Sequence, residues 1–228
     1  MAIICIAGAG PGIGKTAVAE FLLSQLEGWF AARVRVGDEV SDAEAALLGE
    51  AAYHLRAAEA GDPEAERLRA AGARGTIVLV AEARGLEAGL KTLLASLPEG
   101  ASLLVEGNAF LWASRADVAV MVIGPGRSGR GLAPVRPSAR ELFSKVDLWA
   151  WNTHEDPAAE GFFEFPQALA RMGFAQAVSN RADYHHVNPC RGAHAGNREF
   201  LEAVRERIDG PWWRRESDEF LRRIGFDG

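Results

Sequence analysis

"IICIAG", residues 3–8, runs directly into "AGPGIGKT", residues 9–16, and on into "AVAEFLLSQLEG", residues 17–28. The isoleucine-rich run reads as a short buried strand. The stretch from Lys15 reads as a helix with a mostly apolar face that closes at Gly28. Between them, Ala9 to Thr16 satisfies [Ala/Gly]-x4-Gly-Lys-[Ser/Thr], the phosphate-loop pattern. Gly8, Gly10, Gly12 and Gly14 let the backbone turn its N–H groups inward without Cβ clashes. The helix that opens near Lys15 directs the positive end of its dipole at the same point. Gly10, Pro11, Gly12, Ile13, Gly14, Lys15, Thr16 and Ala17 are therefore the expected nucleotide cradle. Lys15 would reach the β- and γ-phosphates, and the Thr16 hydroxyl would hold Mg²⁺.

Outward from this stretch the chain alternates between strands and helices. "ARVRV" (32–36) is a second strand, and "SDAE" (41–44) is a capping box. The box is expected to open a helix carrying Leu47, Leu48, Ala51, Ala52 and Leu55 on one side. Asp62 as N-cap and Pro63 in the first turn start another, closing at Gly72. "TIVLVA" (76–81), "SLLVEGN" (102–108) and "DVAVMVIG" (117–124) are strands, with a helix at 85–97. Their near-continuous apolar texture belongs to strands covered on both faces, as in a parallel sheet. The alternation continues through 137–143, 146–152, 165–173 and 175–180, to helices at 197–208 and 211–225. The expected fold is α/β: one three-layer P-loop NTP-binding domain over 1–228, with a mostly parallel, doubly wound sheet. Residues 210–228 would form a closing helix packed on it, or else a dimer contact through Trp213, Phe220 and Ile224.

Composition narrows the function classes. A net charge of −6 argues against nucleic acid or an anionic membrane as a bulk electrostatic partner. No stretch reaches the roughly 20 apolar residues of a membrane span. Cys5 and Cys190 are too far apart in sequence to suggest a disulfide framework, which points to a reducing, cytoplasmic setting.

A phosphate loop needs an acid for its metal at a neighbouring strand end. Glu106 closes the apolar run "SLLVEG", and Asp38 lies just past the second strand. Either can face the nucleotide or stand as a solvated strand-end acid. Base recognition falls to "VDLWAWNTHED" (146–156), where Asn152 and Glu155 form a degenerate match to Asn-Lys-x-Asp. Asn152 as a plain strand-end cap is the competing reading. Residues 124–140 hold Arg127, Arg130, Arg136 and Arg140 without an acid, which suits either an anion-closing lid or a solvated loop. His185, His186, Cys190 and His194 can ligate a transition metal but match no zinc pattern; an irregular loop with ordinary polar histidines is the other reading.

Taken together, "GAGPGIGKT" (8–16), "AERLRAAGARGTIVLVAEAR" (65–84) and "SLLVEGNAF" (102–110) resemble the molybdopterin-guanine dinucleotide biosynthesis adapter proteins. The resemblance runs through roughly residue 125. It implies a dimeric, SIMIBI-type P-loop NTPase that binds GTP with Mg²⁺, hydrolyses it weakly and assists a cofactor-biosynthesis enzyme. By that resemblance Gly14, Lys15 and Thr16 contact phosphate and metal, and Glu106 is the strand-end acid. The expectation is a Mg²⁺-dependent GTP- or ATP-binding homodimer with slow hydrolysis, Lys15, Glu106 and Asp38 carrying the chemistry. Its rivals are a small-molecule kinase with an acceptor under residues 124–140, a metal-delivery GTPase and a binding module without turnover.

Overall fold

In the computed structural model, which describes residues 1–58, 62–125, 132–153, 170 and 183–210, the opening run is β1 (Ile3–Gly8), buried along its whole length. It leads through the glycine loop into α1 (Lys15–Gln25). Then come β2 (Phe30–Val36), the one-turn α2 (Asp42–Ala45), β3 (Tyr53–Ala57), α3 (Pro63–Ala70), β4 (Thr76–Ala81) and α4 (Leu86–Ala95). The second half adds β5 (Leu103–Glu106), α5 (Asn108–Ala113), β6 (Val118–Ile123), α6 (Pro137–Arg140), β7 (Leu148–Asn152), β8 (Asp183–Val187) and α7 (Ala195–Ile208).

The strands form one sheet in the order β3-β4-β2-β5-β1-β6-β7-β8. Every neighbouring pair is parallel except β3 with β4. Strand alternation divides β1 between two cores. Ile3, Cys5 and Ala7 face one core with Leu90 and Leu93 of α4 and Phe110 of α5. Ile4 and Ile6 face the other with Val18 and Leu22 of α1, Leu68 of α3 and Phe200 and Val204 of α7. Helices thus cover both faces, giving a three-layer, doubly wound α/β arrangement. Each fully buried Leu, Ile or Phe contributes roughly 1.5–3 kcal/mol. Burial also pushes the Cys5 thiol well above its ordinary pKa, so it stays a neutral core group.

From β1 the chain passes to β2, two places away on one side, while β6 flanks β1 on the other. The connections diverge at the carboxyl end of β1, where such a sheet opens a crevice.

The sequence expectation fails at three places. The helix expected after Ser41 is only one turn long. Its capping box forms, but Ala52 takes a left-handed φ of 57° and the chain turns into β3. Leu48 then packs with Ala65, Val78 and Val80, while Leu55 packs on the main core, so no common helical face survives. The stretch expected as an irregular loop around His185 and His186 is the edge strand β8. The short helix α5 was not anticipated. The expected elements at 165–173, 175–180 and 211–225 lie outside the described residues, as does the C-terminal packing or dimer contact. Among the described residues no helix is long and apolar enough to cross a membrane.

Candidate functional site

The glycine loop is shaped by backbone that only glycine adopts without strain. Gly12 and Gly14 have φ of 65° and 90°, and Gly14 is the N-cap of α1 without a side-chain cap. The first N–H groups of α1 are thus left for a ligand, as at other helix starts that hold anions. The Lys15 stem lies across the end of β1, close enough that a Cβ on Gly8 would sit 2.7 Å from it.

Side-chain amides brace the loop from both sides. Asn108, at the start of α5, accepts from the Gly8 N–H at 2.8 Å and donates to the Gly8 carbonyl at 2.9 Å. Asn152, the last residue of β7, donates its Nδ2–H to the Ile13 carbonyl at 2.9 Å. The Ala9 N–H donates to Val122 O, and the Arg136 N–H donates to Ala9 O. These bonds hold the backbone at Gly8, Ala9 and Ile13.

Beneath the loop, Thr16 Oγ1 donates to Glu106 Oε1 at 2.9 Å. Glu106 is 5% exposed, and its second oxygen, Oε2, has no hydrogen-bond partner. Burial raises the Glu106 carboxyl above its ordinary pKa, although Arg33, the Thr16 hydroxyl and Lys15 all pull it down. A buried carboxylate oxygen without a hydrogen bond, beside a threonine hydroxyl, is a donor set suited to a hard divalent cation. The residues fit Mg²⁺, which Thr16 and Glu106 would hold.

An ion-pair chain runs outward from Glu106. Arg33 of β2 meets Glu106 Oε2 through Nε at 3.5 Å, Asp62 Oδ1 through one terminal nitrogen at 3.1 Å, and Glu64 through the other. Asp62, the N-cap of α3, also faces Arg56 of β3 at 3.4 Å and Arg35 at 3.9 Å. Arg35 pairs in turn with Glu44 of α2. Burial would raise both the Asp62 and the Glu44 carboxyls. Hydrogen bonds (from the Ala65 N–H and from Ser41, respectively) and the neighbouring guanidiniums outweigh it and hold both below their ordinary range.

These residues surround a cleft of about 430 Å³ bounded by the loop, Arg33, Arg35, Glu39, Glu64 and Arg67. A larger groove, about 540 Å³, runs along the outer face of α1 between α3 and α7 and shares Ala17 and Arg67 with the cleft. The smaller space is the one that Lys15, Thr16 and Glu106 line.

Of the expected site residues, the loop from Gly10 to Ala17, Lys15, Thr16 and Glu106 come together. Asp38 lies in the 3₁₀ turn Gly37–Glu39 after β2; its neighbour Glu39 lines the cleft, while the Asp38 side chain is outside the description. Asn152 is engaged with the loop. Glu155, Arg127 and Arg130 are outside the described residues. Arg136 borders a small crevice with Gly10, Lys15 and Trp112, and Arg140 ends α6.

Of the three histidines and the cysteine, only His186 and His194 meet. Strand alternation sends the adjacent His185 and His186 to opposite faces of β8. His185 lies tilted against Phe200 at 5.7 Å, whereas His186 packs edge-on against His194 at 4.9 Å and contacts Thr153 Oγ1. Cys190 is exposed, and among the described residues no group of three His, Cys, Asp or Glu side chains is arranged for a metal.

The arginine–carboxylate chain was missed from sequence. One signal was present: "ARVRV" places Arg33 and Arg35 on the same face of a strand flanked by apolar residues, and buried charges require partners.

No family model matches this chain, and no curated protein does. Among solved structures, it is similar to the hydrogenase maturation factor HypB from Archaeoglobus fulgidus. That likeness has 16% identity and a TM-score of 0.46 over 91% of this chain and 90% of the other.

Proposed function

We propose that this chain is a Mg²⁺-dependent purine nucleoside triphosphate-binding protein that hydrolyses the γ-phosphate slowly. The observation that carries this reading is the Thr16–Glu106 hydrogen bond beneath a glycine loop that also presents Lys15. When bound, Mg²⁺ would neutralise charge on the phosphates. The α1 N–H groups and Lys15 would cradle the phosphates, and Thr16 and Glu106 would hold the metal. Asp38 joins this set through its place at the carboxyl end of β2.

Slow turnover follows from how the polar groups are committed. Arg33, Arg35 and Arg67 line the cleft, yet each is held by carboxylates within the chain. Glu106 is bound to Thr16 and faces Arg33, which leaves it poorly placed as a general base. A second copy or a partner that adds a cation would speed hydrolysis. Base choice between GTP and ATP falls to the β7 end: Asn152 fixes the loop, and Glu155 would accept guanine ring protons.

Titration calorimetry with non-hydrolysable GTP and ATP analogues, each with Mg²⁺, tests this reading alongside a phosphate-release assay. Binding of one analogue with turnover well below one per second is expected. No binding of either contradicts it.

A role as an adapter in molybdenum-cofactor biosynthesis is supported by the resemblance of residues 8–16, 65–84 and 102–110. A second reading, metal delivery by a GTPase, is favoured by the His186–His194 contact at 4.9 Å. It expects nickel or zinc uptake that a His186→Ala, His194→Ala variant loses; no uptake by the purified protein removes it.

A further inference from the structure

We propose that Arg33 is a positioning residue of the phosphate site, holding the metal acid Glu106 and the first turn of α3 in register with the glycine loop. This rests on the nucleotide-binding reading above.

The backbone sets up the arrangement. Arg33 and Glu106 are directly paired residues of the neighbouring parallel strands β2 and β5, so their side chains leave the sheet together. Arg33 is 8% exposed, and its guanidinium is gripped on the far side by Asp62 and Glu64. Those two carboxylates fix the fork independently of Glu106. The remaining edge, Nε, faces Glu106 Oε2 at 3.5 Å, and neither atom has a hydrogen-bond partner. Glu106 Oε1 is committed to Thr16. The carboxylate is therefore pinned at one oxygen by Thr16 and steered at the other by a cation that stops short of consuming it.

Stability alone does not account for this placement. A buried ion pair commonly gains little over a well-packed apolar side chain of similar size. An apolar residue at position 33 would join β2 to α3 without any link to Glu106. Arg33 is also the sole described group that contacts both the candidate metal acid and the two carboxylates opening α3, one of which, Glu64, lines the cleft. Removing it frees Glu106 to rotate and lets Glu64 leave the cleft.

The test compares the full chain with Arg33→Met, Arg33→Lys and Glu64→Gln, titrated with a non-hydrolysable GTP or ATP analogue in Mg²⁺ and again in EDTA. Arg33→Met should lose about 10- to 100-fold of affinity in Mg²⁺, as expected when the partner of a metal ligand is removed, with little change in EDTA. Arg33→Lys should recover part of the Mg²⁺-dependent affinity. Glu64→Gln, which removes one grip on the fork at a half-exposed position, should shift the Mg²⁺ titration in the same direction by a smaller factor. Should Arg33→Met fail to fold, the lysine and Glu64 variants carry the test alone. The proposal is overturned if the ratio of Mg²⁺ to EDTA affinity is unchanged in the variants that fold, or if affinity falls equally in both buffers. An unmutated chain that binds no nucleotide at all fails the functional reading first, before Arg33 is reached.

Discussion

Asn108 holds the loop, whereas Glu106 is the side chain proposed to serve a ligand. The Asn108 amide satisfies both backbone groups of Gly8 in a buried setting. Asn108→Ala removes two hydrogen bonds and orphans their partners, so we expect a loss of about 2–4 kcal/mol, measured by urea unfolding. Glu106 has the opposite character. Its carboxyl is raised in the fold, so its ionised form opposes folding above the unfolded-state value of 4.5. Glu106→Gln should therefore be at least as stable as the parent near neutral pH without nucleotide. The same variant should lose Mg²⁺-dependent affinity by about tenfold or more, read by calorimetry. The loop was legible in the sequence because all its parts lie within eight consecutive residues. Glu106 was legible because an acid ending an apolar run is conspicuous. Arg33 was not: its partners Asp62 and Glu64 lie 29 and 31 residues away, brought close only by sheet pairing and the docking of α3.

At the scale of elements, the α2–β3–α3 segment is joined to β2 by charge as much as by packing. Asp62 and Glu44 each meet Arg35 and Arg56, and Asp62 also meets Arg33. Both carboxyls are lowered in the fold, so their contribution to stability is present above the unfolded-state values of 3.8 and 4.5 and is lost as pH falls through the depressed folded values. Asp62→Asn keeps an N-cap acceptor for the Ala65 N–H but unpairs the guanidiniums. Thermal unfolding against pH should show Asp62→Asn destabilised at pH 7 and the gap to the parent closing below about pH 4. A gap independent of pH would mean that shape rather than charge matters there. This segment was also where the sequence misled. Alanine-rich "AEAALLGEAAYHL" (43–55) has strong helix propensity, but an open edge on β4 offered a partner that propensity does not see. β8 escaped for a similar reason: two histidines do not mark a strand, and pairing with β7 supplies what composition lacks.

The described residues form a mostly parallel sheet, and a ligand held at the site proposed beside the carboxyl end of β1 would be coupled to the stability of the fold. A nucleotide present at 100 times its Kd should add about 2.7 kcal/mol to stability. For a chain of this size that raises Tm by about 5–10 °C, observable by scanning calorimetry with Mg²⁺ and a non-hydrolysable analogue. The doubly wound architecture was readable from the continuous apolar strands, since parallel strands are covered on both faces. The strand order was not, because it is decided by long-range packing between helices and sheet. The measurement that bears most directly on the central claim is calorimetric titration of Lys15→Ala beside the unmutated chain, with circular dichroism to confirm the fold. Tight Mg²⁺-dependent binding by the parent and a loss of at least about 100-fold in the variant is the predicted result. Equal affinity in both would contradict the claim that this loop is a phosphate site.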